Sequence, residues 1–115
     1  MRIVFMGSAD FAVTSLEALA AAGHEVLTVV TQPDRPRGRG QKLAVTPVKE
    51  LALKLGLSIY QPDSARSPEF AAWLRQQAPE VVVVVAYGQV LPPEVLRIPP
   101  HGCINVHASL LPAYR

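Results

Sequence analysis

An amide and an imidazole two residues apart, Asn105 and His107, are the side chains of this sequence best suited to chemistry. On a strand, residues two apart share a face, so the pair projects together while Val106 turns toward the core. An Asn NH₂ can donate to a developing oxyanion, and a neighbouring imidazole can move a proton or, when charged, help stabilise the same oxygen. That combination suits acyl transfer. The same two side chains also fit satisfied structural polars near a strand end, and the residues alone leave both readings open.

Three other places carry candidate chemistry. Gly7-Ser8-Ala9-Asp10 is a turn onto a helix N-terminus, which can hold an anion or simply be capped by Ser8 or Asp10. It departs from the dinucleotide fingerprint, because glycines are missing and Asp10 places negative charge where a pyrophosphate would sit; a nicotinamide-dependent oxidoreductase is disfavoured. Arg35, Arg37, Arg39 and Lys42 put four of the 11 basic side chains into one eight-residue stretch broken by Pro36, Gly38 and Gly40. Guanidinium groups on a mobile backbone can wrap phosphates, and the same composition also suits a solvated loop with no partner. In Ala86-Tyr87-Gly88-Gln89-Val90-Leu91-Pro92, the glycine lets a flat ligand approach the backbone, with Tyr87 and Leu91 as apolar walls. A simple turn with packed neighbours fits that segment as well.

These residues need a scaffold that brings them to one edge. Ile3, Val4 and Phe5 make a β-rich run stopped by Gly7, followed by Ala12, Leu16, Leu19 and Ala20 at helical spacing, with Gly23 ending the helix. Val26, Leu27, Val29 and Val30 predict a second strand covered on both faces. A second helix starts at Thr46 and Pro47, turns Val48, Leu51, Ala52 and Leu55 to one face, and stops at Gly56. A short strand over 57–60 leads to a third helix marked by Ser67, Pro68 and Glu69, with Phe70, Trp73 and Leu74 inward. The run Val81 to Val85 predicts a buried central strand, since β-branched side chains lose rotamer freedom in a helix. A Pro-rich connection then reaches one more strand, Cys103 to His107. Strand alternating with helix predicts an α/β, doubly wound, mainly parallel sheet with helices on both faces. In such sheets ligands bind beyond the carboxyl ends of the strands, where all four candidate segments fall.

Composition narrows the class of protein. A chain of 115 residues, half of them hydrophobic, encloses one modest core. Its net charge of +2, from 11 basic and 9 acidic side chains, carries no case for nucleic acid; only the local clustering does. No apolar run approaches the roughly 18 residues of a membrane span, and the N-terminus lacks the pattern of a secretory signal. Cys103 is the single cysteine, so no internal disulfide forms. A soluble, cytoplasmic protein with no membrane partner is expected.

Asn105-x-His107-x-Ser109-Leu110-Leu111-Pro112 resembles the signature of the folate-dependent formyltransferase family. Upstream, Ala86-Tyr87-Gly88 and Thr31-Gln32-Pro33-Asp34-Arg35-Pro36 with Gly38-Arg39-Gly40 are similar to its methionyl-tRNA-formylating branch, so the resemblance runs over essentially the whole chain. It implies a Rossmann-like formyltransferase fold, truncated here, and formyl transfer from 10-formyltetrahydrofolate to the α-amino group of initiator methionyl-tRNA, with no metal. It further implies that Asn105 and His107 flank a tetrahedral intermediate together with a downstream Asp that lies beyond Arg115. Ser109, Leu110, Leu111 and Pro112 contact folate by the same analogy, and the backbone near Tyr87 and Gly88 lines the pterin pocket. Arg35, Arg37, Arg39 and Lys42 face the tRNA acceptor stem.

The resemblance makes residues 1–115 the N-terminal portion of a catalytic domain, without the separate C-terminal tRNA-binding domain, and monomeric when full length. Lacking the carboxylate, this piece is expected not to turn over. Two alternatives stand beside it. Sugar-nucleotide formyltransferases share the Asn-x-His and Ser-Leu-Leu-Pro elements, but the basic cluster favours an enzyme that gains affinity from each phosphate it neutralises. A non-catalytic RNA-binding module would keep only the basic segment and bind no folate.

Overall fold

The computed structural model describes residues 1–37 and 42–106, with side chains for all of these except Arg37 and Lys42. Along the chain run β1 (Arg2–Gly7), α1 (Asp10–Ala21), β2 (Glu25–Val30), β3 (Arg35–Arg37), β4 (Lys42–Ala44), α2 (Pro47–Leu55), β5 (Ile59–Tyr60), α3 (Pro68–Gln77), β6 (Val81–Val85), α4 (Pro93–Leu96) and β7 (Cys103–Val106). β1, β2, β5, β6 and β7 pair in parallel as one five-stranded sheet in the order β5-β2-β1-β6-β7.

Burial follows the side-chain alternation of the strands. Val4, Met6, Val30, Val82 and Val84 pack under Phe70, Ala71 and Leu74 of α3 and Val95 of α4. On the opposite face Ile3, Phe5, Val29, Val83 and Val85 pack under Ala12 and Leu16 of α1 and Val48 and Ala52 of α2. The sheet is therefore covered on both sides, as its unbroken apolar strands require. All five valines of β6 are buried.

Local signals set the helix ends. The Thr46 hydroxyl accepts from Lys49 N–H at 3.0 Å, and the Ser67 hydroxyl accepts from Phe70 N–H at 3.2 Å, in both cases just before a proline that opens the helix. Gly56 closes α2 in the left-handed region at φ 71°.

Several expectations are corrected. Neither Ser8 nor Asp10 caps α1: the cap position is Ala9, with no side-chain hydrogen bond, because Asp10 is the first helical residue and the Ser8 hydroxyl is committed elsewhere. Leu55 is 44 % exposed, since the α2 stripe that meets the sheet is confined to Val48 and Ala52 with Leu51 at its margin. The basic stretch contains structure: β3 and β4 pair antiparallel, Arg35 opposite Ala44 and Arg37 opposite Lys42. The Pro-rich connection contains the single turn α4.

Candidate active site

After β1 the chain passes to β2 on one side, and after β5 it crosses back to β6 on the other side of β1. That reversal marks the switch point of the sheet, the place where sheets of this type bind ligands, and the carboxyl ends of β1 and β6 stay paired there, Gly7 opposite Val85. Gly7 and Ser8 leave β1 there, and Ala86 to Gln89 leave β6. The two turns touch: Ser8 N–H and Ala9 N–H donate to the Ala86 carbonyl at 3.2 and 3.4 Å. Ala86 adopts φ 50° to make this approach, a left-handed conformation that a residue with a Cβ adopts only under constraint. Gly88 follows at φ 100°, and a Cβ on it would lie 3.3 Å from Gln32 Nε2.

Gln32, two residues beyond β2, uses every polar group it has. Its N–H donates to Ser8 Oγ at 3.0 Å, and its Nε2 donates to the Tyr87 carbonyl at 3.0 Å. Its own carbonyl accepts from Gln61 Nε2 at 3.1 Å, and its Oε1 accepts from Gln89 Nε2 at 3.4 Å. A row of hydroxyls runs beside it. Thr31 Oγ1 donates to Ser8 Oγ at 3.3 Å, and Ser8 Oγ donates to the Tyr87 carbonyl at 3.4 Å. Thr31 Oγ1 also shares a 2.6 Å hydrogen bond with Thr46 Oγ1, which either hydroxyl can donate. The row links Thr46 through Thr31 and Ser8 to the Tyr87 carbonyl.

Asp34 roots β3. Its carboxylate takes Gln61 Nε2 at 2.8 Å and Lys49 Nζ at 2.9 Å. The Gln61 bond first, and then Lys49, hold its pKa below the usual carboxylate range. Burial pushes the Tyr87 phenol up to about 12, and its hydroxyl has no hydrogen-bond partner among the described residues. The Tyr87 ring is a core side chain, 2 % exposed, which corrects the expectation that it walls an open cleft. Leu91, 8 % exposed, lines a cavity of about 360 Å³ with Gln89, Val90 and Asn105, as expected of an apolar wall.

Asn105 lies on β7 opposite Val84 of β6 and is exposed. It shares a cavity of about 360 Å³ with Ala86, Gly88, Gln89 and Val90. An amide donor on a strand end therefore faces the glycine-bearing turn across open space. His107 lies outside the described residues, as do Ser109, Leu110, Leu111, Pro112 and Arg39. Arg35 is exposed at the start of the hairpin and lines a second cavity, about 420 Å³, with Ser8, Gln32, Val45 and Thr46. A third depression of about 620 Å³, lined by Arg75, Glu94, Arg97 and Ile98, lies instead toward the amino ends of β6 and β7.

Gln61 was not named by sequence reasoning, and Thr31, Gln32 and Gln89 were named only as members of longer segments, with no role of their own. One signal was available: each follows the carboxyl end of a parallel strand.

The profile described as Formyl transferase matches residues 1–115. The chain is 58 % identical over 115 residues to a methionyl-tRNA formyltransferase of Pelotomaculum thermopropionicum, covering all of this chain and 37 % of that relative. It is 59 % identical over 116 aligned positions to a methionyl-tRNA formyltransferase of Caldanaerobacter subterraneus subsp. tengcongensis, covering all of this chain and 38 % of that one. Among solved structures, glycinamide ribonucleotide transformylase 1 from Symbiobacterium toebii superposes with a TM-score of 0.66 at 22 % identity, over 99 % of this chain and 54 % of that chain. Phosphoribosylglycinamide formyltransferase from Coxiella burnetii superposes with a TM-score of 0.61 at 17 % identity, over 98 % of this chain and 53 % of that one. These two establish the shared fold. The chain thus spans well under half the length of the curated relatives it matches, yet the profile covers all of it, and the chain belongs to the formyl transferase family.

Proposed function

We propose that this chain is the N-terminal portion of the catalytic unit of a methionyl-tRNA formyltransferase. It works on initiator methionyl-tRNA with 10-formyltetrahydrofolate as donor. The observation that carries the proposal is the 58 % identity, over every residue of this chain, to a relative of that name. The geometry agrees: an exposed Asn105 amide shares a cavity with the turn after β6, at the ligand-binding edge of the sheet.

In the proposed reaction the methionyl α-amino nitrogen attacks the formyl carbon. The bond between that carbon and the folate nitrogen breaks, the amine loses one proton, and the folate nitrogen gains one. Asn105 donates to the oxygen that becomes negative in the tetrahedral intermediate. His107 moves the proton, and a downstream carboxylate orients it. The turn at Tyr87 and Gly88, with 109–112, receives the folate, while Arg35, Arg37, Arg39 and Lys42 meet the acceptor-stem phosphates.

The full-length protein should therefore formylate initiator methionyl-tRNA. Asn105→Ala should lower kcat/KM by about 100- to 1,000-fold, the usual cost of one oxyanion donor. The affinity for tRNA should remain. Formylation of an amino-sugar nucleotide with methionyl-tRNA untouched would refute the proposal.

A further inference from the structure

Both legs of the β3–β4 hairpin are tied to one carbonyl in the turn after β6. Gln32, three residues before β3, donates its side-chain amide to the Tyr87 carbonyl at 3.0 Å. Thr46, two residues after β4, reaches the same carbonyl through Thr31 and Ser8, over bonds of 2.6, 3.3 and 3.4 Å. The carbonyl's two lone pairs are both taken, one by each leg. Asp34, Gln61 and Lys49 then fix the start of β3 to the chain beyond β5 and to α2. Gly88, at φ 100°, lies against the Gln32 amide, with room there for no more than a tight Cβ contact. The hairpin cannot change its angle to the sheet without straining the Gln32 bond, the hydroxyl row, or both.

We infer that Gln32 and the Thr46–Thr31–Ser8 hydroxyl row are positioning groups that couple the basic hairpin to the turn at Tyr87 and Gly88. Nucleic acid held by the hairpin and folate held by the turn then alter each other's affinity. This inference rests on the proposed function, which gives the hairpin and the turn their ligands. Its basis is separate: two hydrogen-bonded routes that leave opposite legs of one hairpin and meet on one atom. Coupling between bound ligands is reciprocal, so either ligand can report it.

The test uses the full-length protein and two probes, initiator methionyl-tRNA and tetrahydrofolate, which has no formyl group to transfer. The Kd for tetrahydrofolate is measured with and without saturating tRNA. For the unsubstituted protein the two values should differ by about fivefold or more, the usual lower range for coupled sites. Gln32→Met keeps the length of the side chain and loses its donor. It should bring the ratio closer to one, since one of the two routes is lost, while each ligand still binds alone. Thr31→Val cuts the hydroxyl row at a buried position, supplies an independent variant should Gln32→Met fail to fold, and should lower the ratio too. A purely structural role would weaken both affinities and leave their ratio alone. Binding of both ligands with a ratio of one in the unsubstituted protein, or a ratio unchanged in the variants, would overturn the inference and spare the proposed function. Failure of the unsubstituted protein to bind tRNA or tetrahydrofolate would overturn both.

Discussion

At the scale of single residues the rim is intolerant because backbone has been brought close to backbone. A Cβ on Gly7 would stand 2.7 Å from the Val85 carbonyl oxygen, 2.8 Å from Ala12 Cβ and 2.9 Å from a Phe5 ring carbon. The first two are backbone or a backbone-fixed atom, so β1, β6 and α1 must separate to admit it. Gly7→Ala is therefore expected to destabilise the chain by about 1–3 kcal/mol, the range for overpacking a filled core. A urea midpoint within error of the unsubstituted protein would show that the sheet yields at no cost. Gly7 was legible as a strand stop, but its close packing was not, because the three contacts come from three different elements. Asn105 stood out as a candidate by its type and its spacing to His107, and it is exposed beside the turn. Tyr87 was misjudged as a side chain, since nothing in Ala86-Tyr87-Gly88 says which way the ring turns once Ala86 takes positive φ.

At the scale of elements, what the sequence announced well was whatever is encoded within a few neighbours. Thr46-Pro47, Gly56 and Ser67-Pro68 mark helix ends through contacts three or four residues away. The valine run and the strand-helix alternation determined the layers and the parallel sheet. What stayed hidden depends on longer reach or on elements too short to show a period. β3 and β4 have three residues each, and Pro36 sits inside the first. α4 is one turn among prolines. The Thr46 hydroxyl joins both kinds of information: it caps α2 and also shares a hydrogen bond with Thr31, whose side chain is fully buried. Thr46→Ala removes a cap and takes one partner from a buried hydroxyl. The expected loss is about 1–2 kcal/mol, at or beyond the middle of the range for a lost cap. Ser67→Ala offers the comparison, because that cap accepts from Phe70 N–H and its hydroxyl otherwise donates to the nearby Ser64 carbonyl. If the two substitutions cost the same in chemical denaturation, the hydroxyl row adds nothing to stability.

At the scale of the whole molecule, lowered carboxylate pKa values sit at opposite ends of the sheet. Asp34, at the carboxyl rim, is held down by Gln61 and Lys49. Glu80, just before β6 at the amino end, is held down chiefly by the Arg2 backbone N–H, which donates to it at 2.7 Å. Unfolding returns both groups to ordinary values, so in the acid range the unfolded chain binds more protons than the folded one. Stability from these bonds is present above the ordinary carboxylate range and is lost as pH falls through it toward the folded values. The urea midpoint should be level near neutrality and decline below about pH 4.5. Asp34→Asn and Glu80→Gln should each make that decline shallower, and an undiminished slope in both would show that neither carboxylate is linked to folding. The two ends also differ in consequence. Glu80 joins β1 to β6, whereas Asp34 anchors the hairpin that carries Arg35, so acid should release the hairpin from Lys49 and Gln61 along with any coupling it transmits. In the full-length protein, the ratio of tetrahydrofolate affinities with and without tRNA should then fall toward one in Asp34→Asn at neutral pH. It should keep its normal value in Glu80→Gln, whose lost bond lies at the far end of the sheet.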